Sequence, residues 1–126
     1  GGGRPGPTPA YYRPALLTEV PGDAPVLTEE VFGPVLPVLP FTDDEEAVAL
    51  ADTGGYGLNA FVFGDPERAG RIAERLSAGR VLVNATKSWG VGFPIEGWRA
   101  SGLGRFQGDW SFWELSRLKY RKVGRP

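Results

Sequence analysis

Residues 58 to 84, LNAFVFGDPERAGRIAERLSAGRVLVN, decide the fold of this 126-residue chain. Leu58 to Phe63 reads as a strand. Asp65-Pro66 then opens a helix in the favoured order, a capping carboxylate followed by proline at the first helical position, where its missing N–H costs nothing. Within that helix Ala69, Ile72, Ala73 and Leu76 fall at i, i+3, i+4 and i+7. They make one apolar stripe opposite Glu67, Arg71, Glu74 and Arg75. Gly79 ends the helix, and Arg80 to Asn84 has the look of a buried strand.

The same alternation continues upstream. Pro34 to Phe41 is apolar but broken by prolines, and Pro37 lacks a ladder donor, so a strand here should be short, at an edge or bulged. Thr42-Asp43-Asp44-Glu45 resembles a helix start, with a hydroxyl or carboxylate cap and acidic residues facing the positive end of the dipole. That helix is expected over about 43 to 52, with Ala47, Leu50 and Ala51 inward and Gly54-Gly55 as its stop. The order strand, helix, strand, helix, strand implies right-handed crossovers and a parallel sheet, hence an α/β fold.

The flanks are less regular. Residues 1 to 10, GGGRPGPTPA, read as a flexible Gly/Pro-rich start. Tyr11 to Val20 reads as extended chain running into a turn at Pro21-Gly22. After Asn84 comes a glycine-rich stretch too long for a routine connection, the kind of loop that is usually functional or disordered. Asp109 to Leu115 reads as a short aromatic helix, and Leu118 to Val123 as a terminal strand.

Composition narrows the function classes. The chain is 41% hydrophobic, enough for the core of one ordinary domain. Fourteen basic and fifteen acidic residues give a net charge of -1, which speaks against a nucleic-acid binder. The basic run Arg117, Lys119, Arg121, Lys122 and Arg125 alternates with Leu118, Tyr120 and Val123, as a strand with one solvated face does. No apolar run approaches the roughly 20 residues that span a bilayer, and the N-terminus lacks the order of a secretory signal, so a soluble, cytosolic chain with no membrane partner is expected. There is no cysteine and no histidine. A disulfide framework, a thiolate nucleophile, the commonest metal ligand and the commonest general base are therefore all absent from these residues.

Two further stretches carry chemistry. Thr28-Glu29-Glu30-Val31-Phe32-Gly33-Pro34-Val35 places a carboxylate two positions before an aromatic ring, and a carboxylate offers two acceptors to a vicinal diol. Pro94-Ile95-Glu96-Gly97-Trp98-Arg99-Ala100-Ser101-Gly102-Leu103-Gly104-Arg105 concentrates small residues where backbone must pass close to its neighbours. It lacks both common phosphate-loop patterns, so Gly102 and Gly104 read as packing glycines.

Together with Tyr56 to Phe63, Arg68-Ala69, Ala78-Gly79 and Val81 to Asn84, these segments resemble the aldehyde dehydrogenase superfamily in order and spacing from Tyr11 to Val123. The resemblance implies the C-terminal part of the catalytic domain over residues 11–116, an oligomerisation strand and tail over 117–126, and a complete enzyme about four times as long. It implies that Glu30 accepts hydrogen bonds from the nicotinamide ribose of NAD or NADP while Phe32 packs beside the ring. It also implies that Trp89 and Ile95 contact the aldehyde, with Lys87 and Phe93 as weaker neighbours. The chain departs from the family signature in carrying Ile95 in place of phenylalanine and Glu96 in place of glycine. Asn84 is expected to fix the loop that follows it.

In the family a cysteine thiolate attacks the aldehyde, hydride passes to the dinucleotide, and a glutamate activates the hydrolytic water. The resemblance places those groups upstream of these residues. The isolated chain is therefore expected to bind no cofactor and to be inactive, and to associate with itself or with an N-terminal half. The alternative is a non-catalytic oligomerisation or interaction module derived from the same family.

Overall fold

A computed structural model describes residues 11–87 and 90–125. The chain falls into two compact units that divide between Gly55 and Tyr56.

In the first unit β1 (Ala15–Leu17) and β2 (Val35–Pro37) pair in parallel, with Ala15 opposite Val35 and Leu17 opposite Pro37. Pro37 ends its strand, as a residue without a ladder donor should. The one-turn helix α1 (Pro25–Thr28) lies between the two strands. Helix α2 (Asp44–Ala51) follows β2 and is closed at its start by two side chains. Asp43 Oδ1 accepts from the Glu46 N–H at 2.9 Å, and Glu46 Oε2 accepts from both the N–H and the hydroxyl of Thr42 at 2.7 Å. Asp43 thus satisfies a donor that the first helical turn leaves unpaired, while Glu46 ties the preceding Thr42 to the helix start. Ala47, Val48 and Leu50 are half-buried; Ala51, expected inward, is exposed because the helix ends at that residue.

The second unit is built on β4 (Asn59–Val62) and β5 (Arg80–Val83), parallel and in register from Asn59 opposite Arg80 to Val62 opposite Val83. Helix α3 (Pro66–Ala73) makes the crossover, with Asp65 Oδ1 accepting from the Arg68 N–H at 2.9 Å. Its stripe lies inward as read: Ala69 is buried, Ile72 and Ala73 half-buried, and Leu76 buried just past the helix end. The parallel pairs of the two units are separate two-stranded sheets, so the expected five-element run does not form one sheet. Within each unit the α/β reading holds.

The glycine-rich stretch contains more order than its composition suggested. β6 (Ile95–Glu96) pairs antiparallel with β8 (Arg105–Phe106), and β7 (Trp98–Arg99) pairs antiparallel with β3 (Tyr56–Gly57). Helix α4 (Trp110–Glu114) follows. Leu118 to Val123 forms no strand: among the described residues it has no ladder partner, and it is exposed throughout. Alternating side chains favour extended backbone, yet a strand also needs an edge to pair with.

The core is thin. Among the described residues the buried apolar side chains are Ala15, Ala69, Leu76 and Ala78, and none of the large ones is fully buried. The expectation of a substantial core from composition fails, because the apolar residues present are largely on the surface.

Candidate functional site

Glu30 and Phe32 lie in the first unit, in the irregular segment between α1 and β2. The segment is held by short-range bonds, the Gly33 N–H to the Val31 carbonyl at 3.0 Å and the Val35 N–H to the Gly33 carbonyl at 2.8 Å. This tight path leaves Phe32 99% exposed and Glu30 exposed two residues before it. Phe32, with Tyr11, Tyr12 and Val31, lines an open cavity of about 510 Å³. Glu30 does not line it.

The donor set in this unit suits one end of a dinucleotide. Glu30 offers two acceptor oxygens and Phe32 offers a ring face, which match a ribose diol and an aromatic base. A pyrophosphate would meet acidic side chains at the start of α2. The N-terminus of α2, the natural anion site of such a unit, carries Asp43, Asp44, Glu45 and Glu46 and would repel it. The side chains present are thus compatible with a ribose and an aromatic base and offer no anion site at the start of α2.

Ile95, Lys87 and Phe93 belong to the second unit. Ile95 is half-buried in β6 opposite Phe106. Lys87 and Phe93 are exposed, and a side chain at Gly90 would meet the Phe93 ring at 2.6 Å. Trp89 lies outside the described residues. Glu96, the departure from the family pattern, faces Arg105 directly across the β6–β8 ladder, with Oε2 3.0 Å from Nε. That Nε is buried and makes no hydrogen bond, so the contact is an ion pair by charge alone. The Arg105 guanidinium also lies 5.0 Å from the centre of the Trp110 ring. Sequence reading named Glu96 as a departure but not its partner, because the pairing follows from a two-residue ladder that no periodicity announces.

Two glycines and a serine close this part of the second unit. The Gly57 N–H donates to Ser101 Oγ at 2.9 Å, 44 positions along the chain. A Cβ on Gly57 would run into the Ser77 carbonyl, and one on Gly79 into the Glu96 carbonyl. The YGL and SGLG motifs are thus bonded to each other. Gly102 and Gly104, expected as packing glycines, are required instead by backbone conformation, with φ of 146° and 89° and no backbone close to a missing Cβ.

Known proteins match this arrangement. The aldehyde dehydrogenase family model matches residues 1–120. The chain belongs to the aldehyde dehydrogenase family. It is 38% identical to a succinate-semialdehyde dehydrogenase of Paenarthrobacter nicotinovorans over 127 aligned residues, covering 99% of this chain and 28% of that protein. It is 41% identical to the succinate-semialdehyde dehydrogenase [NADP(+)] of Deinococcus radiodurans, covering 94% and 25%. Among solved structures, an NAD-dependent aldehyde dehydrogenase from Sinorhizobium meliloti superposes with a TM-score of 0.81 at 39% identity, over 92% of this chain and 24% of that one. A betaine aldehyde dehydrogenase double mutant from Staphylococcus aureus in complex with NAD+ gives 0.78 at 34% identity, over 82% and 21%. The chain therefore spans about a quarter of the length of the curated relatives it matches. Such aldehyde dehydrogenases oxidise aldehydes, and this chain carries a partial α/β portion of that architecture. Among its described residues no helix is long and apolar enough to cross a membrane, and no cluster of acidic residues could hold a metal ion.

Proposed function

We propose that the chain is the C-terminal part of an NAD(P)-dependent aldehyde dehydrogenase that oxidises an aldehyde to a carboxylic acid. Glu30 and Phe32 form the nicotinamide-ribose wall of its cofactor site, and Trp89 and Ile95 form part of the aldehyde entrance. The observation that carries this reading is Phe32, an aromatic residue 99% exposed beside an exposed carboxylate, at the place where the family motif puts its cofactor contact. An aromatic ring left in water costs roughly 2 kcal/mol of forgone burial, so a bound ligand or neighbouring polypeptide is the expected cover.

NAD or NADP supplies the hydride acceptor when bound. The chain's own part is positional: Glu30 accepts from the ribose hydroxyls, and Phe32 limits where the ring can sit. The 126 residues contain no cysteine, so the nucleophile and the phosphate contacts come from an N-terminal half. The isolated chain is then inactive and binds no cofactor. The relatives act on different aldehydes, which leaves the substrate at the level of an aldehyde.

NADH fluorescence titration of the purified chain, alone and co-expressed with a cysteine-bearing N-terminal half of the family, tests this. No saturable binding alone, with binding and aldehyde-dependent cofactor reduction in the pair, is expected. Saturable binding by the chain alone would overturn it.

One observation favours the alternative of an interaction module. Leu118, Tyr120 and Val123 are exposed by 93%, 87% and 74% in a segment that has no ladder partner among the described residues. A chain that self-associates through this segment and never restores activity with an N-terminal half would be that module.

A further inference from the structure

Glu96 stands where the family signature has glycine, and its side chain is committed to one partner. Directly opposite on β8, Arg105 brings Nε to 3.0 Å from the Glu96 carboxylate, and its guanidinium lies over Trp110 at 5.0 Å. Trp110 begins α4, so this chain of contacts links β6, β8 and α4. Between the two paired residues runs the segment 97–104, which is fixed where β7 pairs with β3 and where Ser101 Oγ accepts from the Gly57 N–H at 2.9 Å. Gly102 and Gly104 have φ of 146° and 89°, and Leu103 between them is 99% exposed.

A glycine at position 96 would leave the Arg105 side chain without its carboxylate across a ladder of two residue pairs. Two pairs of ladder residues are too few to be stable unaided, since independent sheets need more strands or further packing. The ion pair and the stacked guanidinium supply that packing at the strand where Ile95 sits.

We propose that Glu96 is a positioning residue for Ile95: through Arg105 and Trp110 it holds the β6–β8 ladder in register and so fixes the side chain presented to the aldehyde. The inference rests on the reading of Ile95 as a substrate contact. It differs from that reading in assigning a task to a residue the family pattern does not contain.

Amide hydrogen exchange on the chain itself tests the contact. Glu96→Gln is expected to speed exchange at Ile95, Arg105 and Phe106 by roughly two- to fivefold, the range for a partly exposed ion pair. Glu96→Asp should retain part of the protection, and the charge swap Glu96→Arg with Arg105→Glu should recover at least half of it. Unchanged exchange in Glu96→Gln would overturn the proposal, and so would a swap that recovers nothing. Because this reads the chain and not turnover, it can fail while cofactor binding by the paired halves succeeds, or hold while that binding fails.

The paired halves give the functional arm. There Glu96→Gln is expected to raise the aldehyde KM while kcat stays within about twofold, the pattern of lost ground-state positioning. A fall in kcat with KM unchanged would overturn a role in holding Ile95 against substrate.

Discussion

Asn84 and Gly64 hold each other by two hydrogen bonds. The Gly64 N–H donates to Asn84 Oδ1 at 2.9 Å, and Asn84 Nδ2 donates to the Gly64 carbonyl at 3.0 Å. The Asn84 N–H extends the ladder to the Val62 carbonyl at 2.8 Å, and its backbone then turns into the left-handed region at φ 50°. Asparagine is among the few side chains that accept that region and can bond a peptide group at both ends. The sequence expectation was that Asn84 fixes the loop after it; the structure shows it fixing the turn before α3. Asn84→Ala should lower unfolding free energy by about 1–2 kcal/mol, the sum of solvent-discounted hydrogen bonds and a left-handed Cβ. Asn84→Gly should recover only the backbone part. Urea unfolding followed by circular dichroism checks both.

Glycines of the second unit separate into two kinds. Gly57 and Gly79 have backbone carbonyls where a Cβ would stand, those of Ser77 and Glu96. Carbonyls cannot swing aside as a side-chain tip can, so Gly57→Ala and Gly79→Ala should each cost about 1–3 kcal/mol. Gly70 lies inside α3 with nothing within 4 Å of its missing Cβ. Gly70→Ala should therefore stabilise the chain by about 0.5–1 kcal/mol, the helix propensity difference. Opposite signs for Gly70→Ala and Gly79→Ala in one denaturation series are the check.

Ser101 satisfies the Gly57 N–H, a partly buried donor. Ser101→Ala leaves that donor unpaired and should cost about 1–2 kcal/mol. The loss should appear as faster amide exchange at Gly57 in particular, while the α3 amides, bonded within their own helix, keep their protection.

Much of this architecture was readable because local chemistry and tertiary placement agree. The Asp43 and Asp65-Pro66 caps, the Ala69 to Leu76 stripe and the strands ending at Val62 and Val83 each carry their own signal, and each stands within a residue or a few of its expected place. What escaped depends on partners. The ladders of Ile95–Glu96 with Arg105–Phe106 and of Tyr56–Gly57 with Trp98–Arg99 are two residues long, too short for any periodicity. Leu118 to Val123 has the alternation of a strand and no ladder partner among the described residues. For the candidate site, the motif supplied Glu30 and Phe32, but the exposure of both side chains is a property of the folded unit.

That exposure gives the sharpest separation of function from stability. Phe32 is 99% exposed, so truncating it removes almost no buried surface, and Phe32→Ala should leave the unfolding free energy of the chain within about 0.5 kcal/mol of the parent. Glu30→Gln, at another exposed position, should behave alike. In the paired halves both changes should weaken NADH binding, Glu30→Gln by about tenfold through loss of charge-assisted hydrogen bonds to the ribose diol. Phe32→Ala should act on the reduced ring more than on the adenine end, so affinity for ADP should stay unchanged while affinity for NADH falls. A marked loss of stability from Phe32→Ala would mean that the ring is covered by the chain's own polypeptide, and its place in the cofactor wall would fall with that result.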